Sequence, residues 1–376
     1  MDLAEFRASV DVWLDANADE LRPTHGENAS LDDHVAQVNK IKRLTYDAGW
    51  ARWGWPERVG GFGGDNLYRA YLSEAVVARD LVQPGVYCMT EVIAPTVIGF
   101  ASEQLAGAMV PLLLRGEETW CQGFSEPGTG SNLAALTCQA VRTDSGWRVT
   151  GQKVWTSYAQ YAQRCILLTR TGEPGSLHKG ITALFVDMDS PGISIRPLRT
   201  MHGVDEFCEV FFDDVAVPAE RTLGNEGDGW AVAMDLLPYE RSTSLWLRGA
   251  YLAQRLQRLI SAAPEGALDA RDVGAALEAM YAFRARSRET QRRLARGERL
   301  GAETSIDKIL LQTTEQTIYD LVSATLPDRM LMGDDDLGAA WRSEYLYSRA
   351  ATIYGGTAEI QRNIVARRLL DLGDER

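Results

Sequence analysis

Two short segments of the chain combine residue types that could hold a polar ligand against the main chain. The first, at 120–132, reads WCQGFSEPGTGSN, and the second, at 151–157, reads GQKVWTS. In the first segment Pro127 fixes φ, and the two glycines after it permit positive φ and a close approach of the backbone. Three hydroxyl side chains stand among its main-chain N–H groups: Ser125, Thr129 and Ser131. The arrangement suits a polar, planar or anionic ligand.

The residues around these segments predict strands, and the residues on either side of them predict helices. From about 119 to 217, short alternating runs separated by turn signals indicate a compact antiparallel β domain. Apolar residues at helical spacing predict single helices over 4–21 and 31–48 before it, and over 230–259 and 339–370 after it. The fold class is α+β, mostly α, with expected domains at 1–117 (helical), 118–224 (β) and 225–376 (helical, resembling a four-helix bundle).

Composition excludes several classes of function. A net charge of −13 and a pI of about 4.9 argue against a nucleic-acid partner. No apolar run approaches the roughly 20 residues that span a bilayer, so membrane insertion is not expected. The five cysteines are scattered without a CxxC motif and predict free thiols in a reducing cytoplasm. The four histidines show no ligand spacing, so no metal is expected.

The two segments resemble a known family, the acyl-CoA dehydrogenases, which are flavoproteins that oxidise acyl-CoA thioesters. The family patterns, Ser/Thr-Glu-Pro-Gly-x-Gly-Ser-Asp/Asn after an aromatic residue or Cys and then Gly-x-Lys-x-Trp-x-Ser/Thr, match in order and spacing. A third match, YGGTAEIQR at 354–362, lies where the family has its C-terminal signature. The resemblance spans most of the chain and implies the family fold, in which a β domain packs between two helical domains.

The resemblance implies α,β-dehydrogenation of an acyl-CoA to a trans-2-enoyl-CoA, in which a desolvated carboxylate removes the α-proton. Many family members place this Glu directly after the Tyr of the C-terminal signature, where this chain has Gly355. A minority place it in a Leu-x-x-Glu-Arg segment, here LPYER at 237–241, so Glu240 is the expected base. The alternative is an ordinary solvated Glu at the start of a helix after Pro238, stabilised by the helix dipole and Arg241.

The resemblance also implies FAD as cofactor. Phe124 and Ser125 would lie near the ring edge, Ser157 would direct its hydroxyl toward N5, and Trp155 would flank the isoalloxazine; for Trp155 the alternative is core packing. The implied cofactor contacts are Gln122, Phe124, Ser125, Gly130, Ser131, Trp155, Thr156, Ser157, Thr357 and Glu359. Glu359 stands where the family commonly has Gln, and we expect this acid to point away from the diphosphate. The implied substrate contacts are Ser131, Arg241 and Gly356.

Two family features are absent from the sequence, and both belong to the diphosphate half of the FAD site. An Arg-x-x-Phe-Gly segment that reaches a neighbouring subunit's FAD is replaced by LISAAPEG at 259–266. A Gly-Gly-x-Gly loop is replaced by 326–336, which ends in three adjacent acids, Asp334 to Asp336. The oligomer is therefore either a homo-oligomer or a hetero-oligomer with a paralogous subunit that completes the site. Actinobacterial steroid-degrading dehydrogenases, with two kinds of subunit sharing FAD sites, resemble the second arrangement.

Three functions remain open at this point. The first is an acyl-CoA dehydrogenase, with a bulky or steroid-derived acyl chain as one candidate substrate and an electron-transfer flavoprotein as the acceptor implied by the resemblance. The second is a non-catalytic subunit that completes the flavin site of a partner. The third is a relative that reacts its flavin with oxygen, as an oxidase or monooxygenase does.

Overall fold

The computed structural model describes residues 1–173, 175–333 and 335–373. Six helices come first: α1 (Leu3–Ala16), α2 (Ala18–Leu21), α3 (Leu31–Asp47), α4 (Asn66–Ala78), α5 (Pro84–Phe100) and α6 (Glu103–Leu114). Side chains that accept N–H bonds in the first turn explain where three of them begin: Ser30, Asp65 and Ser102. The Gly-rich stretch between α3 and α4 is an ordered loop with two short 3₁₀ turns.

A single mixed sheet of eight strands follows. Its strands are β1 (Trp120–Gly123), β2 (Gln139–Thr143), β3 (Gly146–Ser157), β4 (Arg164–Arg170), β5 (Ile181–Asp187), β6 (Ile193–Leu198), β7 (Phe207–Pro218) and β8 (Thr222–Leu223). The order is β6-β7-β3-β2-β4-β5-β8, and β1 pairs with β4. Most pairs are antiparallel as expected, but β1–β4 and β2–β4 are parallel, so the sheet is not purely antiparallel.

The C-terminal part is helical. It contains α7 (Gly229–Glu240), α8 (Thr243–Ala262), α9 (Ala270–Ala295), α10 (Thr304–Thr325), α11 (Pro327–Met332), α12 (Asp336–Ser348) and α13 (Ala358–Arg368). Helix α10 packs against α8, α9 and α12. The predicted α+β class, with helices on both sides of a central sheet, is confirmed. None of the helices in the described ranges combines the length and apolarity needed to cross a bilayer.

Three helices predicted as continuous are interrupted. The first breaks at Asn17, whose side-chain amide donates to the Trp13 carbonyl at 2.8 Å. The helix predicted over 230–259 breaks between Glu240 and Thr243, because Pro238 cannot donate within the ladder and two hydroxyls take up carbonyls of the last turn. These bonds join Ser242 Oγ to the Pro238 oxygen at 2.6 Å and Thr243 Oγ1 to the Tyr239 oxygen at 2.9 Å.

The helix predicted over 339–370 is also wrong. It ends at Ser348, gives way to a 3₁₀ turn, and resumes at Ala358 after a loop. Gly355 and Gly356 adopt φ values of 62° and 91°, a left-handed conformation that ends a helix and favours glycine. Thr357 then caps α13 by accepting from the Ile360 N–H at 3.3 Å. The two breaks at 241–242 and 349–357 lie side by side and form one wall of the site described next.

Candidate active site

A cavity of about 280 Å³ lies where the sheet meets the interrupted helices. The sheet side contributes Gln122, Ser157, Tyr158, Glu206 and Phe207. The helical side contributes, among others, Glu240, Arg241, Arg248, Lys308, Tyr347, Tyr354 and Gly355. The structure therefore brings the expected base, one expected substrate contact and two expected cofactor contacts to a single enclosed space.

Glu240 is the last residue of α7, half-buried and facing this cavity. The alternative of a Glu at the start of a helix is wrong, because at a C-terminus the helix dipole opposes a carboxylate. Among the described residues Glu240 has no ion-pair partner within 4.0 Å. A Cβ built on Gly355 would lie 3.6 Å from Glu240 Oε1. A Glu at 355, the commoner family position, would thus start beside the carboxyl that Glu240 supplies.

Arg241 joins the two breaks. Its Nε donates to the Gly355 carbonyl at 2.9 Å, and the Gln361 amide donates to the same oxygen at 2.9 Å. Burial lowers the pKa of the Arg241 guanidinium, and Glu240 beside it partly offsets this. Burial also lowers the pKa of Lys308, to about 8, although Glu315 and Glu240 act in the opposite direction. The 354–356 loop is therefore held in place by positive groups that also surround the Glu240 carboxylate.

The sheet side is organised around a buried ion pair that sequence reasoning missed. Lys153 Nζ lies 2.8 Å from Glu126 Oε1 and also donates to the Phe124 carbonyl at 3.1 Å. The Glu126 carboxylate accepts three further bonds of 2.7–2.8 Å, from the Thr137 N–H and hydroxyl and from the Cys138 N–H. Burial alone raises the pKa of Glu126, but Lys153 and these donors lower it overall. Both residues belong to the two segments, and the inward alternation of β3 at Val149 and Lys153 was the signal that could have found them.

Trp155 does not pack in the core. The ladder between β3 and β7 shifts register between Lys153 and Thr156, and Trp155 has a φ of 59° within this bulge. The bulge reverses the alternation, so that Thr156 is buried while Trp155 is 59% exposed. The indole meets the edge of the Phe207 ring at 5.9 Å between ring centroids. Its remaining surface is available to a planar ring.

Three buried side-chain oxygens in the two segments have no hydrogen-bond partner within the described ranges: Gln122 Oε1, Thr129 Oγ1 and Thr156 Oγ1. Buried polar atoms are normally paired, so these positions favour a bound group that supplies hydrogen bonds. A flavin ring, which is planar and rich in polar edge atoms, fits them and the exposed indole.

The other expected cofactor and substrate residues lie outside the cavity lining. Phe124 and Ser125 form the turn that Lys153 and the Val154 N–H hold in place, the latter by a 2.9 Å bond to the Ser125 oxygen. Gly130 and Ser131 are exposed. Gly356 adjoins Arg241, since a Cβ there would lie 3.4 Å from Arg241 Nη2. Glu359 is exposed on α13, 4.0 Å from Arg362.

Glu206 is a further acid in the cavity lining, beside Glu27, Glu240 and Glu344. Sequence reasoning missed it because Asp205 and Glu206 resemble an exposed turn. Its side chain is buried, and the Tyr158 hydroxyl donates to Oε2 at 3.3 Å. Burial raises the pKa of Glu206 to about 7. No group of three or more His, Cys, Asp or Glu side chains in the described residues is arranged to hold a metal.

Comparison with known proteins gives matches over nearly the whole chain. Family models match residues 2–117 (acyl-CoA dehydrogenase, N-terminal domain), 121–215 (middle domain) and 227–370 (C-terminal domain). The acyl-CoA dehydrogenase IpdE1 of Mycobacterium tuberculosis is 35% identical over 383 residues, covering 100% of this chain and 99% of the relative.

Solved structures share the fold. The Tcur3481–Tcur3483 steroid ACAD is 25% identical with a TM-score of 0.83 and covers 100% of both chains. The ChsE4–ChsE5 complex from Mycobacterium tuberculosis is 24% identical with a TM-score of 0.78, again over 100% of both chains, and shows likeness of fold.

Proposed function

The chain belongs to the acyl-CoA dehydrogenase family, and on this premise we propose that it carries out FAD-dependent α,β-dehydrogenation of an acyl-CoA with Glu240 as the base. The observation that supports this choice is the position of the Glu240 carboxyl, in the cavity and 3.6 Å from where a side chain on Gly355 would begin. The chain has Gly at the commoner base position, and the Glu240 carboxylate lies beside that position.

The residues on the helical side prepare the α-carbon for deprotonation. The main-chain N–H groups of Gly355 and Gly356 have no hydrogen-bond partner among the described residues and are available to the thioester oxygen, where negative charge develops. Arg241 holds this loop through the Gly355 carbonyl. Glu240 then accepts the α-proton.

The sheet side would hold FAD, which when bound supplies the hydride acceptor for the β-hydrogen. Trp155 would lie against the ring, and the unpaired oxygens of Gln122 and Thr156 would receive its polar edge. Ser157, which lines the same cavity as Glu240, would place its hydroxyl between the ring and the acyl chain. Phe124, Ser125, Gly130 and Ser131 stay proposed contacts, as do Thr357 and Glu359.

The substitution Glu240→Gln tests the base. It keeps shape and hydrogen bonding but removes the proton acceptor, so we expect a loss of at least about 10³-fold in anaerobic flavin reduction by acyl-CoA. Flavin content should not change. The control is Glu278→Gln, an exposed acid on α9 outside the cavity. Reduction at the wild-type rate by Glu240→Gln would remove Glu240 from the chemistry and favour the non-catalytic subunit.

A second subunit is proposed to complete the FAD site. Where the family has a glycine-rich loop, this chain has α11, ending in Leu331 and Met332 with 77% and 79% exposure. Asp335 caps α12 through the Gly338 N–H at 2.8 Å and pairs with Arg329, so it is not free to cradle phosphate; Asp334 lies outside the described residues. Exposed apolar side chains of this kind suit a partner surface.

The partner's proposed identity is a paralogous subunit, as the paired names of the steroid ACAD structure suggest. The proposed substrate carries a bulky or steroid-derived acyl chain, and the proposed electron acceptor is an electron-transfer flavoprotein. The proposed location is the cytoplasm, which suits the five free cysteines. Expression of the chain alone and with paralogous neighbours, followed by measurement of bound flavin, tests the partner. Full occupancy and turnover by the chain alone would overturn it.

A further inference from the structure

The cavity contains a carboxyl that neither proton abstraction nor flavin binding uses. Glu206 precedes β7 and is 9% exposed. Its main-chain oxygen accepts from the Tyr158 N–H at 2.7 Å, which fixes the backbone, while its carboxyl lines the cavity. The one hydrogen bond to the carboxyl is the 3.3 Å contact from the Tyr158 hydroxyl, and within the described chain Oε1 has no partner.

Within the described residues no cation forms an ion pair with Glu206 at 4.0 Å or less. Arg248 is the nearby cation that lowers its pKa, but the Arg248 Nη2 is already engaged by Glu315 and Glu344, each at 2.6 Å. Glu344 also repels it and helps to raise its pKa. A buried carboxyl with one long hydrogen bond is costly to keep. The Glu206 carboxyl can therefore accept a hydrogen bond from a ligand bound in the cavity.

A second unpaired polar group stands near it. Tyr347 of α12 lines the cavity, and its hydroxyl has no hydrogen-bond partner in the part of the chain that the structure describes. Its ring lies 5.2 Å from His202 and 5.8 Å from Tyr354, which fixes its position. Glu206, Tyr158 and Tyr347 all line this cavity, and burial together with the Glu206 carboxylate raises the pKa of Tyr347. An acceptor and a donor are thus left open on facing elements.

We propose that Glu206 and Tyr347 form a recognition site for a neutral oxygen substituent, a hydroxyl or a ketone, on the acyl group of the substrate. The Glu206 carboxyl accepts from a hydroxyl, and the Tyr347 phenol donates to either oxygen. A plain hydrocarbon chain would cover both groups without pairing them, which costs binding energy. The proposal rests on the proposed dehydrogenase function and adds to it the class of acyl group.

The test compares substrates that differ by one oxygen. Octanoyl-CoA and its hydroxy isomers with the hydroxyl at C4 to C8 are supplied to the flavin-loaded protein, with its partner subunit if flavin loading requires one. We expect at least one hydroxy isomer to exceed octanoyl-CoA in kcat/KM by about 10-fold or more, because a site built to bond a hydroxyl rejects the analogue that lacks it.

Variants then assign the preference to the two residues. Glu206→Leu should remove the preference by lowering kcat/KM for the best hydroxy isomer toward that for octanoyl-CoA, whereas Glu206→Gln should keep part of the preference. Tyr347→Phe should lower the ratio by about 5- to 10-fold. Flavin content and a thermal unfolding midpoint close to those of wild type show that the variants fold.

Two outcomes would overturn the inference: octanoyl-CoA equals or exceeds every hydroxy isomer, or the preference survives Glu206→Leu unchanged. If no acyl-CoA of the series reduces the flavin, the dehydrogenase proposal fails first, and the two failures are thereby distinguished.

Discussion

The sheet wall and the helical wall of the cavity hold their functional groups by different means. On the sheet wall, Glu126 and Lys153 are 27 residues apart and form a buried ion pair. Further hydrogen bonds tie Glu126 to Thr137 and Cys138, just before β2, so the turn that carries Phe124 and Ser125 is fixed by local charge. On the helical wall, Arg241 and Gly355 are 114 residues apart and meet through one bond between a side chain and a carbonyl.

The difference indicates that the ion pair on the sheet side is a rigid support, whereas the backbone position of the base on the helical wall can be exchanged. A buried ion pair with several hydrogen bonds cannot lose one member without leaving a buried charge unpaired. The helical wall only has to bring a carboxylate to one point, and two backbone positions reach that point, Glu240 on α7 and the Cβ direction of Gly355. We therefore expect the helical wall to accept a relocated base and the Glu126–Lys153 ion pair to accept almost no change.

The largest expected effect tests the exchange of positions. Glu240→Gly should lower turnover by at least about 10³-fold, and adding Gly355→Glu should restore at least about 10-fold of that loss. Recovery stays incomplete because Gly355 has a φ of 62°, which costs a residue with a Cβ about 1–2 kcal/mol. The new Cβ would also lie 3.1 Å from Lys308 Cε.

Rates of anaerobic flavin reduction in wild type, Glu240→Gly and the double variant measure this effect. Gly355→Glu alone is the control for strain. A double variant no faster than Glu240→Gly, with normal flavin content, would show that the two positions do not reach the same carbon.

The sequence predicts the sheet side of the site better than the helical side. The sheet segments could be found because their residues lie close together in the chain and have unusual types. Glu240 could be named only through the family resemblance, and its location at the end of α7 was not predicted. Helical periodicity continues through 241–242, and the break depends on hydroxyl bonds from Ser242 and Thr243 that no periodic pattern records.

The bulge at Trp155 and the burial of Glu206 are two further features that the sequence pattern does not predict. Strict alternation along β3 places Trp155 inward, and the bulge that reverses it depends on the register with β7, which is a distant strand in the chain. Glu206 has the type and sequence neighbours of a solvated residue. Its burial arises from Tyr158 and from α12, which lies more than a hundred residues later.

A smaller effect tests the rigidity of the sheet wall. Lys153→Met leaves the Glu126 carboxylate buried without its cation, so the free energy of unfolding should fall by about 3–5 kcal/mol. Bound flavin should fall with it, because the 125–131 turn loses its anchor. Urea unfolding of the apoprotein and flavin content measure the two effects. Lys153→Met with Glu126→Gln removes both charges and should recover part of the stability; equal stability of Lys153→Met and wild type would contradict the assigned role.

The smallest effect concerns the pH dependence of stability and Glu206 on the sheet side of the cavity. The pKa of Glu206 is about 7 in the folded protein against 4.5 for an ordinary Glu. An acid whose pKa is raised by folding stabilises the folded state below the lower value and loses this contribution as pH rises to the higher one. At 1.36 kcal/mol per pH unit, the free energy of unfolding should lose about 3 kcal/mol from this group between pH 4.5 and 7.

Glu206→Gln should lack this loss, so its stability relative to wild type should grow steadily over that window. His34 acts in the opposite direction, since burial lowers its pKa to about 4 and its contribution is lost as pH falls. His34 is present in both proteins and cancels in the difference. Urea unfolding at half-unit pH intervals measures the difference. A constant offset between the two proteins would mean that the Glu206 carboxyl is solvated, and would place it among ordinary surface acids rather than in the cavity wall.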